Sequence, residues 1–234
     1  IGKLNIRGRM PEGEVPSAKA LLVNSTSIDL LTKGNYSHYE FLGAVENFFV
    51  KAAPAMFMGW SNLNFDRRMF HFNFFKGNRY PYLTHSSPNQ EHDGLHLARA
   101  AQTIDSKTLK TELTEAGNES LALESLARQQ GFDTSAAHTA YVDAHNSLKI
   151  LRIIKDKHPD NWEKFLGTST KSSVESILKG EGIYSIFENV KGRNMMYLVC
   201  TLHPTHCFHP IYASWGYLWD LRRDPEPFLN MSVN

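Results

Sequence analysis

The chain has 234 residues, of which 41% are hydrophobic and 21% are charged, so its composition indicates a folded globular protein and excludes a disordered one. Its formal net charge is +1, so the protein has no strong overall electrostatic field that would by itself indicate a nucleic-acid partner. No apolar run approaches the roughly 20 residues of a membrane-spanning helix, so we expect no membrane partner. The two cysteines, Cys200 and Cys207, are too few for a disulfide framework and favour a cytoplasmic location.

A strand, a helix and a second strand are predicted in the first 60 residues. Alternation of apolar and polar residues predicts the first strand at Ile1–Arg9. A capping box formed by Ser37 and Glu40 begins the helix, which Pro54 ends. The continuously apolar run Ala55–Trp60 is typical of a buried strand, so the chain is predicted to contain at least part of a buried sheet.

Helices dominate the predicted middle of the chain. Apolar residues at helical spacing, together with caps and stops, predict four of them: about Phe65–Phe75, Asp93–Ile104, Asn118–Gly131, and Ser135–His158. The polar segment Arg79–His92, with two prolines, is predicted to be a loop. These elements predict an α/β domain.

A change of pattern follows the segment Gly167–Ser173, whose small polar residues predict a linker. Short strands are predicted beyond it, at Gly182–Val190, Met195–Leu202, His209–Trp215 and Tyr217–Leu221. The segment Lys191–Asn194 suits the turn of a hairpin. We therefore predict two domains, an α/β domain over residues 1–167 and a small β domain over residues 168–234.

Two acidic residues occupy positions where a metal site can form. Asp66 ends the segment that follows a buried strand, and Asp143 lies five residues after His138 at the beginning of a long helix. Carboxylate oxygens are the ligands that Mg²⁺ prefers, and a nearby histidine can take a proton from an attacking water. Each acid also has an ordinary explanation, as a partner of the helix dipole or as an exposed helical residue. The signal therefore comes from their order and setting.

The segments around these acids resemble two motifs of the bacterial exonuclease I family. Gly59–Asp66, with the sequence G-W-S-N-L-N-F-D, resembles the second acidic motif, G-x-N-N-x-x-F-D. Ala137–Ala144, with the sequence A-H-T-A-Y-V-D-A, resembles the third motif, H-x-x-x-x-D. Four further segments are similar to family segments in the same order: Asp93–Ala100, Ser120–Leu126, Thr201–Pro204 and Trp219–Leu221. The resemblance thus covers nearly the whole chain.

The resemblance implies a DEDD-type 3′→5′ exonuclease of the histidine subclass. Its implied fold is a ribonuclease-H-like α/β domain, with an incomplete sheet here, followed by a small SH3-like β-barrel domain. The implied catalytic residues are Asp66 and Asp143, which would hold Mg²⁺ (two ions in the complete enzyme), and His138, the general base. The implied reaction degrades single-stranded DNA to nucleoside monophosphates in DNA repair or recombination.

The predicted DNA contacts are Asn62, Asn64 and Arg67 beside the acidic motif, and Ser120 in the segment similar to S-F-R-L-E-x-L. Asparagine is also a common turn residue, so turn formation is the alternative for the two asparagines. The implied partners are single-stranded DNA and a single-stranded-DNA-binding protein, and the chain is expected to be a monomer.

Aromatic residues are concentrated between Phe70 and Tyr82. They can stack on bases, with Arg67, Arg68, Lys76 and Arg79 contacting phosphates, or they can form core, which helical spacing favours for Phe70 and Phe74. A solvated charged face is the alternative for the basic residues. The sequence alone leaves these possibilities open.

The chain departs from the family pattern before Asp66. The family's first motif is Asp-x-Glu on the first strand, and no Asp-x-Glu precedes Asp66 here. Ile1–Arg9 instead matches the third strand, so we expect the chain to be a piece of a longer gene product. Ala122 stands where the family pattern has arginine. A catalytically inactive module that binds DNA or protein is the main alternative, and a polymerase proofreading subunit is a weaker one.

Overall fold

The computed structural model describes residues 2–134, 139–180, 182–202 and 216–229. Its elements follow one another in this order: α1 Ala18–Val23, α2 Ile28–Thr32, α3 His38–Ala52, β1 Met56–Gly59, α4 Asp66–Lys76, β2 Gln90–Asp93, α5 Gly94–Ile104, α6 Leu123–Gln129, α7 Ala140–Lys157, α8 Pro159–Leu166, α9 Lys171–Lys179, β3 Ile183–Val190, β4 Arg193–Thr201, β5 Leu218–Asp220 and α10 Glu226–Leu229. The predicted α/β class is confirmed by this alternation of helices and strands.

The first sheet consists of β1 and β2, which run parallel and pair from Met56 opposite Gln90 to Gly59 opposite Asp93. The predicted strand at Ala55–Trp60 is thus confirmed as β1. The prediction of a loop throughout Arg79–His92 is wrong, because β2 begins at Gln90. This strand has no apolar residue, so its sequence lacks the pattern that marks a strand.

Two hydrophobic clusters flank this sheet. The large cluster joins α5, α6 and α7 with the segments between them, and its buried residues are Leu97, Ala98, Ala101, Leu109, Leu121, Leu126, Ile150, Leu151 and Ile154. The small cluster joins α3 and α4 and has three buried residues: Leu42, Val45 and Phe74. Each cluster buries the apolar face that helical spacing predicts for its helices.

The predicted strand at Ile1–Arg9 is wrong. Within residues 2–9 only Gly8 forms a β-bridge, to Tyr36, and the rest of the segment has no ladder partner. A strand needs a neighbour to satisfy its backbone groups. Leu4 and Ile6 nevertheless pack partly against the small cluster, so the apolar positions of the alternation are used for packing.

The predicted helices are found with shifted boundaries. The capping box of α3 is confirmed, since the amide of Glu40 donates to Ser37 Oγ at 3.3 Å and the Ser37 amide donates to the Glu40 carboxylate at 2.8 Å. The helix predicted from Asn118 begins only at Leu123, because a bridge between Leu113 and Glu119 occupies the preceding segment.

Two further boundaries differ from the prediction. The long helix α7 begins at Ala140, and the predicted start at Ser135 lies outside the described residues. The predicted linker Gly167–Ser173 is shorter than expected, because α9 begins at Lys171 with Thr170 as its cap. A threonine hydroxyl that accepts from the first helical turn favours a helix start over a flexible linker.

The second sheet is an antiparallel meander of β3, β4 and β5. The hairpin between β3 and β4 turns at Lys191 and Gly192, both with positive φ, as predicted. The described strands form an open sheet and no closed barrel, and the strand predicted at 209–215 lies outside the described residues. α5 contacts both β3 and β4. The domain boundary at residue 167 stays a prediction. Across the described ranges, no helix is long and apolar enough to cross a bilayer.

Candidate functional site

Asp66 and Asp143 line the same cleft, which has a volume of about 1530 Å³. Asp66 is the first residue of α4, whose inner face belongs to the small cluster, and Asp143 lies in the first turn of α7, which belongs to the large cluster. The predicted base His138 lies outside the described residues. The structure therefore brings together the two acids that the sequence places far apart along the chain.

A third carboxylate, Asp93, shapes the turn that leads to Asp66. Asp93 is fully buried and caps α5, because its Oδ1 accepts from the Leu95 amide at 2.9 Å. The same oxygen accepts from the Ser61 amide at 2.9 Å, and Oδ2 accepts from the Leu63 amide at 3.3 Å. One side chain thus ties the beginning of α5 to the turn between β1 and α4, and so positions Asp66.

Close backbone contact at the end of β1 tightens this turn. A Cβ atom at Gly94 would lie 2.8 Å from the Gly59 carbonyl oxygen, and a Cβ atom at Gly59 would lie 2.8 Å from Asn62 Cβ. Asn62 Oδ1 accepts from the Gly59 amide at 3.1 Å, and Ser61 has a φ of 59°. Glycine at both places permits an approach that a larger residue would block.

The carboxylate of Glu91 on β2 is buried behind the turn. Its Oε2 lies 3.1 Å from Arg67 Nε, and its Oε1 accepts from Asn62 Nδ2 at 3.3 Å. Burial raises the pKa of Glu91, and the charges of Asp93 and Asp66 act in the same direction, while Arg67 and Asn62 oppose them. Burial therefore outweighs the ion pair, and the site holds a carboxyl group that resists ionisation.

Asp66 is exposed along the cleft, but nearby protein atoms displace part of its solvent. This loss of solvent raises the pKa of Asp66, the Asp93 charge raises it further, and a hydrogen bond from its own backbone amide opposes the rise. A cation bound beside Asp66 would favour the ionised form, because an opposite charge lowers a carboxyl pKa.

The four predicted DNA-contact residues lie in different environments. Asn62 lines the cleft, but it is buried and its amide group bonds Gly59 and Glu91. Asn64 is exposed in the same turn. Arg67 forms the ion pair with Glu91, and Ser120 Oγ accepts from the Ala122 amide at 3.4 Å. A DNA contact by any of them stays a prediction, with Asn64 the most accessible.

The donor set suits one hard cation better than two. Mg²⁺ is commonly held by one or two carboxylates, waters and substrate phosphate oxygens, and Asp66 and Asp143 supply two carboxylates in one cleft. Among the described residues, no group of three His, Cys, Asp or Glu side chains is placed to hold a metal ion. The oxygens of Asp93 accept from backbone amides, and Glu91, which also lines the cleft, is paired with Arg67 and Asn62. A second ion would need a donor other than these.

Sequence reasoning missed Glu91 altogether and assigned Asp93 only its helix-capping role. The cap at Asp93 is confirmed by the Leu95 hydrogen bond. Its bonds to the turn had no sequence signal, because they join residues about 30 positions apart. Glu91 lies on a strand with no apolar alternation, so nothing in its surroundings predicted burial.

The sequence of the chain is similar to those of known nucleases. No protein-family model matches the chain. Exodeoxyribonuclease I of Buchnera aphidicola (subsp. Baizongia pistaciae) is 23% identical over 225 residues, which cover 92% of this chain and 45% of that protein. The chain spans about half the length of the curated relatives it matches.

Solved structures show the same fold. Escherichia coli exonuclease I in complex with a dT13 oligonucleotide matches with a TM-score of 0.79 and 17% identity, covering 99% of this chain and 50% of that one. A complex of ExoI with SSB-Ct matches with a TM-score of 0.74 and 16% identity, covering 93% of this chain and 47% of that one. By sequence and by fold, the chain is therefore a homologue of exodeoxyribonuclease I over about half the length of those proteins.

Proposed function

We propose that this chain belongs to a 3′→5′ exonuclease that degrades single-stranded DNA to nucleoside monophosphates in DNA repair or recombination. The observation that carries the proposal is the convergence of Asp66 and Asp143 on one cleft. These two residues come from separate segments that resemble two acidic motifs of exonuclease I. The relatives' name and the oligonucleotide bound by the E. coli structure support the same substrate class.

In this proposal Asp66 and Asp143 would hold Mg²⁺ through their carboxylates. Bound Mg²⁺ would supply stabilisation of negative charge on the phosphate oxygens. Asp93 keeps Asp66 in place through the turn, since it accepts from the amides of Ser61 and Leu63. His138 takes the proton from the attacking water, as the resemblance implies.

The test is digestion of a 5′-labelled single strand by the purified full-length protein, with Mg²⁺ or with EDTA. We expect Mg²⁺-dependent shortening from the 3′ end. We expect Asp143→Asn to lower the rate at least about a hundredfold, because the change removes a metal ligand worth several kcal/mol in the transition state. Asp156→Asn, an exposed acid on the same helix, is the matched control and should retain the wild-type rate.

A specific observation favours a second candidate, a DNA-binding module without turnover. Among the described residues, no group of three His, Cys, Asp or Glu side chains is placed to hold a metal ion in the cleft that Asp66 and Asp143 line. This candidate predicts salt-sensitive binding of single-stranded DNA and no Mg²⁺-dependent shortening. Wild-type activity of Asp143→Asn, in contrast, would contradict the ligand role in the main proposal.

A protein partner is the last part of the proposal. Because a homologous exonuclease I forms a complex with SSB-Ct, we propose a single-stranded-DNA-binding protein as a partner of this chain. The chain is proposed to act as a monomer. Titration of a labelled peptide from the carboxyl terminus of such a protein, together with sedimentation of the chain alone, tests both statements.

A further inference from the structure

The outward face of α4 carries an exposed aromatic stripe. We define the outer stripe of α4 by its apolar members and its two cations: Phe65, Met69, Phe72, Phe75, Arg68 and Lys76. The apolar side chains are 67%, 49%, 62% and 77% exposed, in chain order. Contiguous apolar surface of this kind commonly marks a binding site on a folded protein.

Packing of the fold leaves the outer stripe unused. Phe70 and Phe74 lie on the inner side of α4, where Phe74 is buried and Phe70 packs against the small cluster. The two phenylalanines pack with ring centroids 5.8 Å apart, and Phe70 lies 5.4 Å from Phe49. The helix is therefore held by its inner face, and the phenyl groups on its outer face have no comparable structural role.

The charges of the outer stripe indicate the chemistry of its occupant. Arg68 and Lys76 are exposed, and in the described part of the chain neither forms an ion pair. The stripe has no acid of its own. Aromatic faces interleaved with free cations are what single-stranded nucleic acid requires, since bases stack on the rings and phosphates contact the cations.

A second copy of the chain fits this face less well. In a two-fold contact the same patch meets itself, so Arg68 and Lys76 of one copy would face the same cations of the other. Like charges brought together in this way disfavour association. The charge pattern therefore selects an anionic occupant.

We propose that the outer stripe of α4 is a binding path for single-stranded DNA that leads away from Asp66. The inference rests on the proposed exonuclease function, which places the 3′ end at Asp66. Met69 lies one helical turn after Asp66, so the stripe begins beside the cleft. From Asp66 to Lys76 the helix rises about 15 Å, which is on the order of four stacked nucleotides at about 3.4 Å each. The rings stack on bases, and Arg68 and Lys76 contact phosphates.

The experiment measures binding of the chain to a fluorescent oligothymidylate in EDTA, by anisotropy, with an abasic strand of the same length as a second probe. We expect Phe72→Ala to weaken binding of oligothymidylate about tenfold and to leave binding of the abasic strand unchanged, because only the first probe can stack. We expect Arg68→Ala to weaken binding of both probes and to reduce the slope of log K against log salt by about 0.7.

Matched controls separate this path from general surface effects. Phe228, 58% exposed on α10, controls for loss of an exposed phenyl group, and exposed Arg152 on α7 controls for loss of one positive charge. Both control variants should bind like the wild type. Wild-type binding by Phe72→Ala and Arg68→Ala would overturn the inference and leave the exonuclease proposal intact.

Two other results would also overturn the inference. If the wild-type chain binds neither probe, the path does not exist, and the digestion assay decides the exonuclease proposal separately. If sedimentation shows a dimer of the wild-type chain that Phe72→Ala abolishes, the stripe is an interface between copies instead.

Discussion

The large and small hydrophobic clusters contribute unequally to the candidate site. The large cluster buries nine residues around α5, α6 and α7, and it includes the fully buried Leu126, Ile150 and Ile154. Among the residues that the structure describes, the small cluster buries three around α3 and α4. Asp143 stands on a helix of the large cluster and Asp66 on a helix of the small one. The geometry of the cleft therefore depends on how firmly the small cluster, which carries Asp66, is held in place.

The connection between the two sides is short. It consists of the parallel pair β1 and β2 and of the Asp93 carboxylate, which binds amides of both the turn and α5. Regions with few buried apolar contacts open first in native proteins. We therefore expect α3 and α4 to open more readily than α7, and we expect the Asp93 hydrogen bonds to limit this difference.

The largest expected effect is on the large cluster. Ile150→Ala removes a fully buried side chain, and we expect it to lower the free energy of unfolding by about 2–5 kcal/mol, since a cavity is left in a packed region. Chemical denaturation followed by circular dichroism measures the change. Ile104→Ala is the matched control, because Ile104 is 45% exposed at the end of α5 and should cost far less.

A smaller and local effect is expected in the small cluster. We expect Leu42→Ala to cost about 2–3 kcal/mol, the lower part of the usual range, because a small cluster can collapse onto the vacated space. Amide hydrogen exchange should speed up in α3 and α4 while α7 keeps its protection. An equal acceleration of amide exchange in α7 would show that the two clusters unfold as one unit, which would contradict the expected difference in stability between them.

The connection itself gives the next prediction. Asp93→Asn replaces one of the two carboxylate oxygens with an NH₂ group. The single remaining oxygen cannot accept all three hydrogen bonds that the carboxylate accepts from the amides of Ser61, Leu63 and Leu95. We expect a loss of about 2 kcal/mol, since a buried amide is left without its charged acceptor. The proposed digestion rate should also fall, because the turn before Asp66 loosens. Asp156→Asn, on the surface of α7, should change neither quantity.

Local patterns predicted the parts of the fold that local chemistry determines. The capping box of α3, the strand β1, the cap at Asp93 and the hairpin turn at Lys191 each follow from residues a few positions apart. These successes depend on signals that a short stretch of sequence carries by itself. The acids Asp66 and Asp143 line one cleft, and their roles as metal ligands stay a prediction.

The missed features depend on distant partners. β2 is a strand because β1 lies beside it, although its sequence is Gln-Glu-His-Asp. The segment Ile1–Arg9 has the alternation of a strand, but only Gly8 of its described residues finds a bridge partner. The Glu91 side chain is buried because Asn62 of the turn and Arg67 of α4 pack against its carboxylate. Hydrophobic periodicity indicates which face of a helix or strand is apolar, but it does not indicate which strand or side chain lies next to that element in the fold.

The smallest expected effect concerns the buried carboxyl group at the connection. The pKa of Glu91 is raised in the folded chain, so the group stabilises the fold below its unfolded pKa and loses that contribution as pH rises through the folded pKa. The side chain in Glu91→Gln does not ionise, so the variant does not lose this contribution to stability as the pH rises. Relative to the wild type, the variant should therefore be more stable at pH 7 than at pH 4.

Urea denaturation of both proteins at the two pH values measures this difference. Glu115→Gln, in an exposed loop, controls for loss of one negative charge. If Glu91→Gln is instead relatively less stable at pH 7, the ion pair with Arg67 outweighs the burial of the carboxylate. In that case the connection would be held by charge attraction, and the small cluster would be tied to β2 more firmly than its three buried residues suggest.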